Sequence, residues 1–265
     1  MVGALTLGSA SPHLVRGVGG IPWQGLIAVT SLAGVIAALL ITPVREGPFG
    51  APSPPLDLGY ALRALRDRPL RLVTLGYLGH MWELYAVWAW MPAFIVASTA
   101  HAGAPVGRLT LAAISFGAIG VAGLLGAVLG GRLADRIGRT ALTSAAMVLS
   151  GASALASAAL FGAPLIALVA LLSVWGATVI ADSAQFSTAA TELADARHAG
   201  SMLTLQTALG FLLMIASIRL VPLVAGLVGW RFALMPLAIG PALGTIAMLR
   251  LRTLPEATRM AGGAR

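Results

Sequence analysis

The sequence predicts an all-α membrane protein with about seven transmembrane helices. Hydrophobic residues make up 58% of the 265 and charged residues only 10%, and the mean hydropathy of +0.91 exceeds what a soluble domain of this size can bury. Seven segments reach the roughly 20 apolar residues that a membrane helix needs. Lipid offers no partner for backbone N–H and C=O groups, and the segments are too long and continuous for barrel strands. A helical bundle follows.

The predicted spans are defined by their mostly apolar composition. They cover residues 23–44, 71–98, 108–130, 140–161, 164–188, 201–226 and 230–250. Residues 1–20 lack the basic start and the long apolar core of a signal peptide. We interpret them as the last part of a further membrane helix.

The distribution of arginine predicts the orientation. All 17 basic residues are arginine, against nine acidic residues, for a net charge of +8. They form short clusters between apolar segments, with no basic face that alternates with aromatics, which argues against nucleic acid and fits the positive-inside rule. Most lie in the connections after the first, third and fifth spans and in the tail, whereas the other side has only Arg16, Arg108 and Arg231. We predict a multi-pass protein of the cell's inner (plasma) membrane with a cytoplasmic C-terminus.

The sequence offers no recognisable catalytic or metal site. It has no cysteine, and its four histidines lie too far apart in the chain for metal-ligand spacing. The glycines of the third span lie inside a predicted helix and lack the preceding strand of a nucleotide-binding fingerprint, so they indicate close helix packing. We expect neither enzyme activity nor a cofactor.

One long connection divides the chain. Residues 45–70 contain a cluster of prolines and then an arginine-rich amphipathic stretch, which predicts an extended linker and, at 57–67, a helix on the inner membrane surface. Trp23 and Arg45 are separated by the same distance along the chain as Trp230 and Arg252, and each tryptophan is expected to open a helix. This correspondence indicates two structural halves, although an aromatic belt at the interface gives a similar pattern.

The connection after the third span reads GRLADRIGRT over residues 131–140. The pattern G-x-L-x-D-R-x-G-R-[RK] is matched there by Gly131, Asp135, Arg136, Gly138 and Arg139. At this point the sequence resembles the major facilitator superfamily, and it departs from the pattern at Thr140, where the family has a basic residue. In that family a strict copy lies in the first half and a degenerate copy joins helices eight and nine. The plainer alternative is a tight basic loop that only obeys the orientation rule.

Each motif position has a local physical reason. Gly131 is expected to let one helix end approach its neighbour, and Gly138 to permit a turn with positive φ. Asp135 is expected to accept hydrogen bonds from a helix N-terminus and to pair with arginine, so that the motif latches the inner helix ends together in one conformation. Because such a latch has to open, its contacts are expected to stabilise the closed conformation by about a few kcal/mol at most.

The resemblance implies that the seven spans are helices six to twelve of a twelve-helix transporter, preceded by a stub of helix five. Residues 1–44 would then be the end of the N-terminal half, made of the stub and one transmembrane helix. Residues 45–70 would be the cytoplasmic linker between halves, 71–252 the C-terminal six-helix half, and 253–265 a cytoplasmic tail. Helices one to four would be absent.

Two titratable residues interrupt the second span. Glu83 lies about 18 Å along the helix from Arg71, near the bilayer midplane, where a charge costs about 2.5–3.5 kcal/mol. It is therefore expected to face the bundle interior or to be protonated. His80 lies one turn away on the same face, so the two side chains can share a proton or form an ion pair.

Aromatic residues are expected to surround this pair, and they are Trp82, Tyr85, Trp88 and Trp90. In the resembled family such residues line the central cavity, and a membrane carboxylate often carries the coupling proton. The resemblance therefore places His80, Trp82, Glu83, Tyr85 and Trp88 in the substrate pathway. The alternative is a helix–helix hydrogen bond that only fixes packing, with the tryptophans in an interfacial belt.

Four more polar residues lie within the spans. Asp182 and Gln185, one turn apart in the fifth span, are candidates for a pathway or gating role. Gln206 lies near an inner helix end, where packing is the favoured role. Arg219 lies about two turns from an outer end, so we favour snorkelling to the interface, and burial of Arg219 would instead favour an anionic substrate.

These observations predict a secondary active transporter of a small solute, working by alternating access and coupled to protons through Glu83. The alternative is a truncated fragment that does not transport, or a half-transporter that needs a partner half to cover its cavity. The expected partners are the lipid bilayer, a small molecule and protons and, under the alternative, a missing N-terminal half.

Overall fold

Every regular element in the described part of the chain is a helix. The structure is a computed structural model that describes residues 2–44 and 55–264. The proline-rich part of the predicted linker, including Arg45, lies outside the described residues, as does Arg265. The rest of that connection contains a short helix that begins where the Asp57 carboxylate accepts a hydrogen bond from the Tyr60 amide (2.7 Å).

The α-helices of the described residues are numbered in chain order. They are α1 (Val2–Gly19), α2 (Trp23–Ile41), α3 (Leu58–Ala64), α4 (Arg68–His101), α5 (Arg108–Ser115), α6 (Gly123–Ile137), α7 (Arg139–Ala159), α8 (Leu165–Ala181), α9 (Ser183–Leu193), α10 (Ala199–Val228) and α11 (Ile239–Arg252). A π-helical stretch, Phe116–Ala122, joins α5 to α6 without a break. Short 3-10 turns cover Met235–Ala238, Pro255–Arg259 and Ala261–Gly263.

Among the described residues, five helical segments are long and apolar enough to cross a membrane. They are Trp23–Ile41, Arg108–Ile137, Arg139–Ala159, Leu165–Leu193 and Ala199–Val228. The chain is thus an all-α membrane protein, as predicted. The two other predicted spans correspond to α4, which is not among these five, and to α11, which has only 14 residues, so the count of seven stays a prediction.

The bundle core is formed around α4. This helix packs against α10 and α11 and against α9, while α7 lies between α8 and α11. One apolar cluster contains Leu84 and Trp175, and a second contains Met81 and Phe186. Along α4, the buried apolar residues up to Met81 belong to the second cluster and those from Leu84 onward to the first, so Glu83 lies at the boundary. A polar layer therefore lies between two apolar ones.

The N-terminal helices differ in how they pack. Helix α1 lies against α5, the π-helical stretch and α6. Helix α2 contacts α1, and it buries none of its residues within the described structure. Its exposed apolar surface suits lipid or another helix.

Glycines bring α6 into backbone contact with α8. A Cβ atom at Gly126 would lie 2.0 Å from the carbonyl oxygen of Ala177, and one at Gly130 would lie 2.5 Å from that of Ala181. No side chain fits in either place. The predicted packing role of the glycines in this span is confirmed at these two positions.

The fifth predicted span divides at Asp182 into α8 and α9. The Gln185 amide donates to the Asp182 carbonyl (2.9 Å), three residues back, which tightens the chain locally into a 3-10 turn. This turn places the Asp182 side chain beside His80 of α4.

The seventh predicted span begins later than expected. Trp230 lies in a turn and does not open a helix, because α11 starts only at Ile239. Tertiary contacts hold this turn: Arg231 Nε donates to the Ala158 carbonyl (3.1 Å), and the Trp230 ring lies 6.1 Å from that of Trp90. The expected correspondence with Trp23, which does open α2, is therefore wrong at its second copy.

Candidate functional site

Three titratable side chains lie buried in the polar layer. His80 and Glu83 come from α4 and Asp182 from the junction of α8 and α9, and each is 2% exposed. Because helices turn by about 100° per residue, the spacing of His80 and Glu83 keeps both on one face, as predicted. The break at Asp182 supplies a second carboxylate from the opposite side.

Glu83 has two hydrogen-bond donors on neighbouring helices. Ser150 Oγ of α7 donates to Glu83 Oε2 (2.5 Å), and Trp175 Nε1 of α8 donates to Oε1 (2.7 Å). Neither donor carries a charge, so the carboxyl group has polar contacts without a neutralising cation. This arrangement supports either a protonated or an ionised carboxyl, since a hydroxyl partner can donate or accept.

His80 pairs with Asp182 and not with Glu83. His80 Nδ1 lies 2.9 Å from Asp182 Oδ1, a distance that suits an ion pair when the imidazole is protonated. The atoms are not aligned for a hydrogen bond, so within the described residues Asp182 Oδ1 has no hydrogen-bond donor. The expected contact between His80 and Glu83 is not formed: His80 contacts Asp182, and Glu83 accepts from Ser150 and Trp175.

The aromatic surroundings also differ from the expectation. His80 packs between Tyr77 and Phe186, at ring separations of 6.3 and 5.6 Å, and Trp175 covers Glu83. Trp82 points elsewhere, because its Nε1 donates to the Pro236 carbonyl (3.1 Å).

The other predicted aromatics lie toward α10. The ring of Tyr85 contacts those of Trp88 and Phe211, at 5.5 and 5.6 Å. Trp90 Nε1 donates to the Ile218 carbonyl (2.8 Å). Trp88 is buried, and its Nε1 has no acceptor among the described residues.

A large apolar groove runs along the far side of α4. Its volume is about 500 Å³, and α4 and α11 form most of its walls. Trp82 lines this groove, whereas His80 and Glu83 do not. The polar layer is therefore closed from the groove by the body of α4.

The remaining predicted residues fall in three separate places. Gln185 accepts a hydrogen bond from Arg139 Nη1 (2.8 Å) and so belongs to the inner end of the bundle. Gln206 is buried, and its amide nitrogen has no partner among the described residues. Arg219 is exposed on α10, which agrees with snorkelling and not with the burial that would favour a substrate role.

The motif forms a charged cluster between α6, α7 and α9. Arg139 donates through Nε and Nη2 to the two carboxylate oxygens of Glu192, both at 2.8 Å, which is the parallel two-bond geometry of a strong arginine–carboxylate pair. Its Nη1 also reaches Gln185 and, at 3.4 Å, Asp135. Arg139 is thus the centre of the predicted latch.

The motif positions follow the expectation only in part. The motif is almost wholly helical, since α6 runs to Ile137 and α7 begins at Arg139. Gly138 alone turns the chain, with the predicted positive φ of 94°. A Cβ at Gly131 would meet nothing within 4 Å, so Gly131 does not bring helices together.

The two charged residues of the motif that precede the turn are also exposed. The N-terminus of α7 has no side-chain cap, so Asp135 does not accept from it, and its partner among the described residues is Arg139. The Arg136 side chain is exposed at the last turn of α6. The expected helix-capping role of Asp135 is therefore wrong.

Glu192 was not singled out from the sequence, and neither were Ser150 and Trp175. Glu192 is separated from the motif by two helices, so spacing alone could not connect them. Two signals were available: Ser150 continues a small polar stripe along α7, and Trp175 is a lone indole in an apolar span, where an N–H group needs an acceptor.

The C-terminal tail shares Glu192 with Arg139. The Ala261 amide donates to Glu192 Oε2 (3.3 Å), and Arg259 Nη2 donates to the Leu193 carbonyl (3.0 Å). Met260 between them is fully buried. Tail, motif and the end of α9 therefore form one connected cluster, which we call the inner cluster after the orientation predicted from the arginine distribution.

Long apolar helices that enclose buried ionisable side chains are typical of membrane proteins that move ions or solutes. The family model described as Major Facilitator Superfamily matches residues 1–218. The chain belongs to this superfamily and is a membrane transporter of the major facilitator type, and members of the family are transporters and not enzymes. A comparison with curated proteins gave no match.

Proposed function

We propose that this chain is a secondary active transporter that moves a small solute by alternating access and couples that movement to protons. The observation that supports it most directly is the burial of His80, Glu83 and Asp182 at mid-depth of the bundle. Ionisable groups in a membrane interior are costly. Their retention there favours a role in ion or solute movement over packing.

The polar layer contains what a proton carrier needs. Glu83 is held by two neutral donors, and Asp182 Oδ1 is an acceptor without a hydrogen-bond donor in the described structure. His80 lies beside Asp182 and one turn from Glu83, so it can exchange a proton with a water molecule or with either carboxylate. A proton on Glu83 removes its charge and lowers the cost of rearranging α4 against α7 and α8.

The inner cluster provides the conformational part of the proposal. Two parallel hydrogen bonds from Arg139 to Glu192 connect the start of α7 to the end of α9. Such a contact favours one arrangement of these helix ends, and its loss allows another. We place the inner cluster, and with it the C-terminus, on the cytoplasmic side of the cell's inner (plasma) membrane.

The test is uptake by proteoliposomes under an imposed pH gradient. A panel of small solutes is screened with a pH-sensitive dye inside the vesicles, so that solute and proton movement are recorded together. Glu83→Gln keeps the size and hydrogen-bonding capacity of the side chain but cannot release a proton. We expect it to abolish proton-coupled uptake and leave expression unchanged.

Asp67→Asn is the matched control, since Asp67 is exposed and its side chain does not cap α4. It should transport like the parent chain. Uptake by Glu83→Gln that equals the parent's would rule out the coupling role of Glu83.

The competing proposal is a fragment without transport activity, or a half that requires a partner half. Helix α2 buries none of its residues in the described structure, which favours a further contact surface there. Vesicles containing this chain alone distinguish the two: uptake by the chain alone supports the first proposal, and uptake only after a complementing half is added supports the second.

A further inference from the structure

Two adjoining cavities lie at the outer end of the bundle, opposite the inner cluster. They occupy about 280 and 510 Å³ between the end of α1, the second half of α4 and the start of α5. His13, Arg16, Pro92 and Leu111 line both, so the two form one continuous space, which we call the outer vestibule. None of these residues belongs to the polar layer.

The charge of the outer vestibule is entirely positive. Arg16 and Arg108 line it together with His13, and in the described structure neither arginine pairs with a carboxylate. The sequence explains this, because the connections at this end of the bundle, residues 20–22, 102–107, 160–164 and 229–234, contain no acidic residue. A cleft lined by one sign of charge concentrates ions of the opposite sign.

One of the two arginines is held in place. Arg108 Nε donates to the Gly17 carbonyl (3.1 Å) at the end of α1, which fixes the guanidinium over the last turn of that helix. The terminal nitrogens are not used in that bond and are available to a bound anion. A planar guanidinium suits the two oxygens of a carboxylate in particular.

The rest of the outer vestibule is aromatic and apolar. Trp90 and Trp230 line its larger part, with ring centroids 6.1 Å apart. The hydrogen bond from Trp90 Nε1 to Ile218 fixes that ring, so the wall is ordered before a ligand arrives. A site of this kind favours a ligand with an apolar body and a charged end.

We propose that the outer vestibule binds a small organic anion, with its carboxylate on Arg16 and Arg108 and its apolar part against Trp90 and Trp230. As a statement about the transported substrate, this assignment rests on the transport activity proposed above. The binding itself is a separate property, since it requires neither a gradient nor a rearrangement of the bundle.

The experiment measures binding in detergent, without phospholipid or a pH gradient. Benzoate is the probe, and benzamide and benzylamine are its neutral and cationic counterparts. Isothermal titration gives the affinity, and quenching of tryptophan fluorescence shows whether the indoles are approached. We expect benzoate to bind at least about tenfold more tightly than either counterpart, because a carboxylate forms charge-assisted hydrogen bonds with arginine.

Arg16→Gln tests the site directly. Its side chain has no carboxylate partner to lose in the described structure, so the substitution removes a charge and little else. We expect it to weaken benzoate binding by about tenfold. Arg219→Gln is the matched control, because Arg219 is exposed on α10 and does not line the outer vestibule, and the affinity of this variant for benzoate should equal the parent's.

The outcomes separate this inference from the transport proposal. Equal binding of benzoate and benzamide, or unchanged binding by Arg16→Gln, overturns the anion site and leaves the role of Glu83 untouched. Failure of benzoate to bind would also overturn it, and binding of an anionic phospholipid in a separate titration would then assign the outer vestibule to a lipid contact. Selective binding that requires Arg16 supports the site, even if Glu83→Gln proves to transport normally.

Discussion

Burial makes His80 and Asp182 dependent on each other. Each is 2% exposed, and their nitrogen and oxygen atoms lie 2.9 Å apart. Replacing one partner of a buried ion pair leaves the other without compensation, which costs about 3–5 kcal/mol, whereas replacing both costs much less. The pair is thus a place where a double substitution should be milder than a single one.

We therefore predict that His80→Asn destabilises the protein in detergent by about 3–5 kcal/mol. His80→Asn combined with Asp182→Asn should recover at least half of that loss, because an amide pair needs no counter-charge. Thermal or denaturant unfolding followed by tryptophan fluorescence gives both values. Equal losses in the single and double variants would show that the two side chains do not interact.

For individual residues, the sequence predicts that a buried polar site exists but not which side chains pair within it. A glutamate and a histidine one turn apart in an apolar span predict a buried polar site by the cost of charge in lipid. The partner of each depends on how α7 and the α8–α9 junction are rotated against α4. No periodicity along a single helix contains that rotation, which explains why Ser150, Trp175 and the His80–Asp182 pair were not predicted.

The helices follow the apolar segments closely, and they depart from them where tertiary contacts compete. The span at 164–188 breaks at Asp182, where the carboxylate meets His80. The α-helix of the span at 230–250 begins only at Ile239, because the contacts of Trp230 and Arg231 hold the preceding residues in a turn. Hydropathy predicts where a helix lies in the membrane, but it carries no information on such local breaks.

The contact of α6 with α8 gives a prediction at this scale. A Cβ at Gly126 would lie 2.0 Å from the Ala177 carbonyl oxygen, a backbone atom that cannot move without shifting α8. Gly126→Ala should therefore separate the two helices and destabilise the fold by about 1–3 kcal/mol, the usual cost of overpacking.

Gly117→Ala is the control for this prediction, because the space around Gly117 is open to 4 Å and it lies in the same helical segment. It should be neutral or slightly stabilising, since alanine favours helix over glycine. Midpoints of heat-induced aggregation in detergent rank the variants. A Gly126→Ala protein as stable as the Gly117→Ala protein would contradict the close contact.

In the whole molecule, the inner cluster joins parts of the chain that are far apart in sequence. Arg139 from the motif, Glu192 from the end of α9 and Ala261 from the tail meet at one carboxylate. The family resemblance predicted that the motif forms a latch, and the motif itself contains Arg139, the donor in this contact. The acceptor and the tail are joined to it only by folding, because about 50 residues and then about 70 separate them along the chain.

The shared carboxylate predicts that a change at Glu192 loosens the tail as well as the latch. Hydrogen bonds to a charged group contribute about 1.5–3 kcal/mol, so Glu192→Gln should raise the fraction of time that the tail is open by about tenfold or more. The chain has no cysteine, so Met260→Cys introduces a single thiol at a position that is fully buried. Its rate of reaction with a maleimide reports opening of the tail.

The comparison is made with Asp195→Asn in the same Met260→Cys background. Asp195 is a nearby carboxylate whose contacts are with Arg197 and His198, and it takes no part in the inner cluster. Its replacement should leave the labelling rate unchanged, while Glu192→Gln accelerates labelling. Equal rates in both variants would mean that the closed position of the tail does not depend on the Glu192 carboxylate, and the Arg139–Glu192 contact would then break without releasing the C-terminus.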